Sequence, residues 1–325
     1  MSASTTTAVD ARPSGRAQSY WRRLRSGDPA AHLITLASAA SVVAITALLV
    51  FDLYKTSAVS RHAFGWHFLF TQAWDPVAGQ FGALPFIYGT LVTSGLALLI
   101  GIPLGVGAAI FLAELAPPGI SSALTFLIEL LAAVPSVIIG LLGVFVMIPI
   151  LRQMEPAIRA TLGWSPLFSG PFYGVSLLSA GVVLAIMILP FIISISREVI
   201  ISVPGDQREG ALALGATRWE TTWDVVIPYA RTGIIGSIFL ALARSLGETM
   251  AVTMVIGNDP AIHTSLFAPG YSIAAVIANE FTEATGDLYQ SALIELGLVL
   301  FALTIVINAV ARALVLSTTK KGTAV

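Results

Sequence analysis

The chain has 325 residues, of which 56% are hydrophobic and 11% charged, and its formal net charge is −1. That balance excludes an ordinary soluble domain and points to an all-α membrane protein. It has no cysteine, so disulfides, thiolate metal sites and cysteine nucleophiles are excluded as well.

Residues 1–29 carry Arg12, Arg16, Arg22, Arg23 and Arg25 among Ser, Thr and Ala, and read as a disordered basic tail. The first apolar run, Ala31 to Leu53, is a full span rather than a cleaved signal. Lys55 to Pro85 follows as an aromatic loop with Trp66 and Trp74, suited to a membrane–water interface. There His62 and His67, beside Phe64 and Trp66, read as interfacial residues rather than a metal site. Further spans are predicted at about Phe86–Leu112, Ala123–Leu151, Val175–Ser196, Gly233–Gly257 and Ser291–Leu316, six transmembrane helices in all. They define a transmembrane domain over 30–317, and 318–325 is expected to form a short cytoplasmic tail. Pro103, Pro135, Pro149 and Pro190 are expected to kink helices.

Basic residues set the orientation. With the N-terminus inside, twelve Lys and Arg fall on cytoplasmic segments and four outside, which predicts cytoplasmic termini in a multi-pass plasma-membrane protein. The final outer loop, Asn258 to Gln290, has no Lys or Arg but carries Asp259, Glu280, Glu283 and Asp287. It reads either as a docking face or as a plain solvated loop.

The longest charged interruption, Pro204 to Arg231, falls on the cytoplasmic side. Asp206 with Glu209, and Thr217 with Glu220, have the spacing of two successive helix caps. Gly215 stands between them as a left-handed turn, and Pro228 is expected to close the unit.

In the fifth span, LARSLGETMAVT places Arg244 and Glu248 four apart, on one face if the helix is continuous. Ser245, Thr249 and Thr253 would form a hydroxyl stripe beside them. An Arg at this depth needs a partner or a wet cavity. Two readings stand: a structural ion pair, or an anion path in which the Arg fork and hydroxyls meet an oxyanion. Glu129 and Glu295, near span ends, read as structural residues reaching toward water, and Glu114 as an interfacial residue. No GxxxxGK[ST] phosphate loop is present, since the only lysines are Lys55, Lys320 and Lys321. No catalytic cluster is evident, and any ATP chemistry would have to come from another subunit.

Glu209-Gly210-Ala211, Gly215, Val225, Ile227 and Pro228 resemble the EAA loop of ABC importer permeases, with Gly210, Val225 and Ile227 as departures. The stretches FGALPFIYGTL (81–91), ELLAAVPSVIIG (129–140) and RSLGETMAVTMVIGN (244–258) are similar to the C-type transmembrane subunit of phosphate-specific type I importers. The resemblance covers about residues 30–316. It implies a permease without its own cofactor, working by alternating access with a homologous A-type permease, two ATPase subunits that bind ATP-Mg, and an extracytoplasmic phosphate-binding protein. It implies a bilayer and no nucleic acid. It further implies that the EAA loop docks on the ATPase and that Arg244 and Glu248 act in phosphate movement. Importers of sulfate, molybdate or peptides share the loop, and a gradient-driven secondary transporter remains a rival from another class.

Overall fold

The computed structural model describes residues 28–319, all of them helical or in short connections. The arginines of the expected basic tail and Lys320 and Lys321 lie outside the described residues. Met1–Asp52 and Leu53–Val325 form two separate units. Within the first lies most of helix α1, Asp28–Thr56, apolar on every side.

The second unit holds the remaining helices: α2 Ala58–Phe64, α3 Leu84–Leu115, α4 Pro118–Ala133, α5 Ser136–Leu162 and α6 Leu177–Ile201. They are followed by α7 Gly205–Ala213, α8 Arg218–Leu246, α9 Met250–Ile256, α10 Ile273–Glu280 and α11 Asp287–Thr319. Six helices, α1, α3, α5, α6, α8 and α11, are long and apolar enough to span a bilayer. The six expected spans are therefore present, but two are cut differently.

The third expected span, Ala123–Leu151, is interrupted. Val134 is extended at ψ 128 because it precedes Pro135, whose ring disfavours helical backbone there. The membrane-length helix begins only at Ser136, and α4 stands apart as a shorter apolar helix. The fifth expected span, Gly233–Gly257, is also broken. Helix α8 stops at Leu246, Gly247 leaves helical geometry at ψ 2, and α9 restarts at Met250.

Two prolines sit in long helices just after a widened turn. A π-helical turn at Gly143–Met147 precedes Pro149, and another at Thr221–Val226 precedes Pro228. Proline lacks an N–H and its ring crowds the carbonyl four residues back, and a π turn relieves both problems. Pro228 therefore does not close the polar hairpin; α8 runs through it into the membrane. Pro103 and Pro190 lie inside α3 and α6.

Helix α6 is the centre of the bundle. Leu177, Leu184, Ile188 and Ile192 are fully or almost fully buried against α3 and α9. Glycines make the α3–α6 contact possible: a Cβ on Gly105 would lie 2.7 Å from Ile192 Cγ2. Ser196 and Ser237, both fully buried, hydrogen bond at 2.8 Å and tie α6 to α8.

At the end opposite the polar hairpin, the expected acidic loop is partly a buried helix. The first half of α10, from Ile273 to Val276, is shielded by Phe81, Phe86 and Leu293. Glu280 turns inward, accepting from Trp74 Nε1 at 2.8 Å and Tyr289 Oη at 2.6 Å. Burial, the largest influence, pushes the nearby Tyr271 up to about 12, so it stays neutral while its oxygen accepts from Asn279. The FGALPFIYGTL stretch is spent on this packing: Phe81 stacks on Tyr289, and Gly89 admits the Tyr271 carbonyl, 2.1 Å from where its Cβ would be.

Candidate functional site

Arg244 lies in the last turn of α8, exposed in this chain. Its guanidinium carbon sits 4.4 Å from the centroid of the Phe191 ring on α6. Among the described residues no ion pair joins Arg244 to a carboxylate. The expectation that Glu248 neutralises it fails, because the helix that would put them on one face ends between them. Glu248 instead turns toward α9, its Oε1 3.5 Å from the Ala251 N–H.

The hydroxyl stripe is broken for the same reason. Ser245 is buried and donates to Leu242 O at 2.9 Å. Thr249 donates to Gly247 O at 3.3 Å, and Thr253 to Thr249 O at 2.8 Å. Each hydroxyl is a donor already used locally, though each oxygen still has acceptor capacity. Of the five residues predicted for the path, only Arg244 presents donors with no partner.

Helix α9 packs on the first turns of α5, where Gly140 faces Ala251 and Met254, its would-be Cβ 3.0 Å from Ala251 Cα. Thus the two interrupted helices meet directly after their breaks. Interrupted helices are a recurring way for transporters to expose backbone at a substrate path. Among the described residues no group of three or more His, Asp or Glu could hold a metal ion.

The second candidate region is the polar hairpin. Asp206 does not cap α7, whose N-cap is Pro204; it sits in the first turn, where its charge still suits the helix dipole. Thr217 and Glu220 do form the expected capping box, with Thr217 Oγ1 accepting from Glu220 N and Glu220 Oε2 accepting from Thr217 N at 2.7 Å. Gly215 has φ +93, and the bonds Gly215 N to Leu212 O and Ala216 N to Ala211 O complete a Schellman motif. Glu209, Gly210 and Pro228 are exposed, and Ala211 is half-buried. Beside them Leu214 is 91% exposed, and the Trp219 and Trp223 rings, both exposed, meet edge to face at 5.5 Å.

Arg208 was not among the predicted residues. It reaches Glu114 at the end of α3, and also donates to Ile200 O at 2.7 Å and to Val203 O. No local pattern announces a pair so far apart in sequence. Phe191, beneath Arg244, was likewise missed.

A model of the family described as "Binding-protein-dependent transport system inner membrane component" matches residues 101–320, and the chain belongs to that family. It is a permease of the ABC transporter type, a multi-pass inner-membrane protein. More narrowly it is PstC-like. It is 49% identical over 296 residues to the phosphate transport system permease protein PstC of Mesorhizobium japonicum, covering 90% of each chain. It is 37% identical over 314 residues to PstC 2 of Mycobacterium tuberculosis, covering 94% of each. Its fold is that of a bacterial alginate ABC transporter chain, with a TM-score of 0.58 at 16% identity, covering 89% of this chain and 96% of that one.

Proposed function

We propose that this chain is the C-type membrane subunit of an ATP-driven phosphate importer. The observation that carries the reading is Arg244: a guanidinium at the end of a membrane helix, stacked on an aromatic ring, with no carboxylate paired to it among the described residues. Such a fork binds a tetrahedral oxyanion through charge-assisted hydrogen bonds. The names of the PstC relatives support phosphate as that oxyanion. Ser245, Thr249, Thr253 and Glu248 are then residues that shape the path around Arg244 rather than its ion-pair partners.

The hairpin with Glu209, Gly210, Ala211, Gly215 and Pro228 docks on an ATPase subunit. Its exposed Leu214, Trp219 and Trp223 support this, since aromatic and aliphatic anchors dominate protein interfaces. The hairpin and both termini are cytoplasmic, and a phosphate-binding protein delivers the anion at the opposite end. A homologous A-type permease completes the membrane dimer, and two ATPase subunits bind ATP-Mg. Moving such a dimer from 1:99 to 99:1 between its two states takes ~5.5 kcal/mol of differential binding, which ATP bound between the ATPases supplies.

The test is reconstitution of the complex in vesicles with labelled anion. Uptake of phosphate that needs both ATP and the binding protein supports the reading. Uptake of sulfate or molybdate in its place moves the chain to another importer. Uptake that survives without ATP makes it a secondary transporter.

A further inference from the structure

Glu295 lies on α11, one turn beyond the start of the buried core of that helix, and is 6% exposed. Its Oε2 is sealed from solvent beside the hydroxyl of Ser60, and the Arg61 charge lies close enough to act on it. Ser60 and Arg61 offset only part of the cost of burying this carboxylate, so a further donor on its groove side is favourable. Among the described residues no ion pair joins it to a cation. It lines a groove of about 740 Å³.

The walls of that groove are of two kinds. At its upper end, with Glu295, is Arg61, held by Ser57 Oγ at 3.1 Å and the Tyr54 carbonyl and stacked on the Tyr54 ring at 3.7 Å. These bonds use Nε and Nη2 and leave the Nη1 donors. Below, the groove is apolar, running down α11 past Leu298 and Ala302 to Val306. Eleven residues of helix separate Glu295 from Val306, about 16 Å of rise. That is about half of a hydrocarbon layer ~30 Å thick, the depth of one leaflet. Trp66, also on the groove wall and 81% exposed, suits a residue at headgroup level.

We propose that this groove is a site for one phospholipid with an ethanolamine headgroup. Its phosphate meets Arg61, its ammonium donates to Glu295, and an acyl chain lies along Leu298, Ala302 and Val306. A cation and a carboxylate side by side match a zwitterion. A choline headgroup carries the same charges but has no N–H to donate, and a glycerol headgroup has no cation. The site does not depend on which substrate the transporter carries.

The test uses the intact complex, stripped of lipid and titrated with nanodiscs of phosphatidylethanolamine, phosphatidylcholine or phosphatidylglycerol, with bound lipid read by native mass spectrometry. One ethanolamine lipid per chain should be retained about tenfold over either alternative, the scale of one charge-assisted hydrogen bond. Glu295→Leu should remove that preference, and Arg61→Gln should weaken ethanolamine and choline lipids alike. Val306→Trp, which leaves both polar groups in place, should expel the lipid even if Glu295→Leu fails to assemble. Equal retention of all three lipids by the unaltered complex overturns the proposal. So does cross-linking of Leu298→Cys, the only cysteine then in this chain, to the partner permease, because a helix would then fill the groove.

Discussion

Arg208 of the polar hairpin and Glu114 at the end of α3 are joined by an ion pair of 2.8 Å across 94 residues of sequence. The same guanidinium holds the carbonyls of Ile200 and Val203 at the end of α6, so one side chain fastens α7 to two membrane helices. If the hairpin moves with a docked subunit, this fastening is the route by which the displacement would reach α3 and α6.

The first prediction concerns that fastening. Arg208→Ala should remove ~1–2 kcal/mol, less than a fully buried pair because both partners are partly exposed. The complex should still assemble and hydrolyse ATP, while the anion moved per ATP falls. Arg208→Lys should restore the charge but not the two carbonyl bonds, giving an intermediate ratio. An unchanged ratio in both variants would show that the pair transmits nothing.

At Gly215 the constraint is backbone conformation rather than space, since a Cβ there meets nothing within 4 Å and φ is +93. Substitution should therefore follow tolerance for positive φ: Asn least harmful, Ala worse by ~1 kcal/mol, and Val worst. Stimulation of the ATPase by the loaded binding protein is the readout. Equal behaviour of Asn and Val would rule out the turn as the reason for the glycine.

Thr217→Ala deletes the capping box that starts α8. It should destabilise the hairpin by ~0.5–2 kcal/mol, seen as faster proteolysis between Leu214 and Glu220 with the bundle intact. Thr217→Ser should behave as the unaltered chain.

Gly105→Val places a branched side chain against Ile192, where a Cβ alone would come within 2.7 Å of Cγ2. Overpacking of this kind amounts to ~1–3 kcal/mol, so the thermal midpoint of the purified complex should drop. Pairing it with Ile192→Ala should recover part of the loss. No recovery would mean that the two helices do not meet there.

Several local signals were legible, although Asp206 did not cap α7 and Pro228 did not end the hairpin. Thr217 with Glu220, the left-handed Gly215 and six apolar spans all depend on neighbours within a few residues. Features set by tertiary contact were not legible. Pro135 reads as a kink, whereas its restriction of Val134 ends the helix outright, and the packing of α5 on α9 through Gly140 then holds the restarted helix in place. Arg244 and Glu248 share a face only if the helix continues through Gly247, and it does not. The pairings of Arg208 with Glu114 and of Glu280 with Trp74 leave no trace in spacing, because their partners arrive from distant segments.

The central claim, that Arg244 meets the transported oxyanion, is tested most directly by phosphate uptake into vesicles carrying Arg244→Gln. The variant complex should assemble with its partners and bind the loaded binding protein, yet take up labelled phosphate at less than about a hundredth of the normal rate, a loss of ~2.7 kcal/mol. Arg244→Lys should fall between the two, keeping the charge but not the fork. Near-normal uptake by an assembled Arg244→Gln complex would contradict the account.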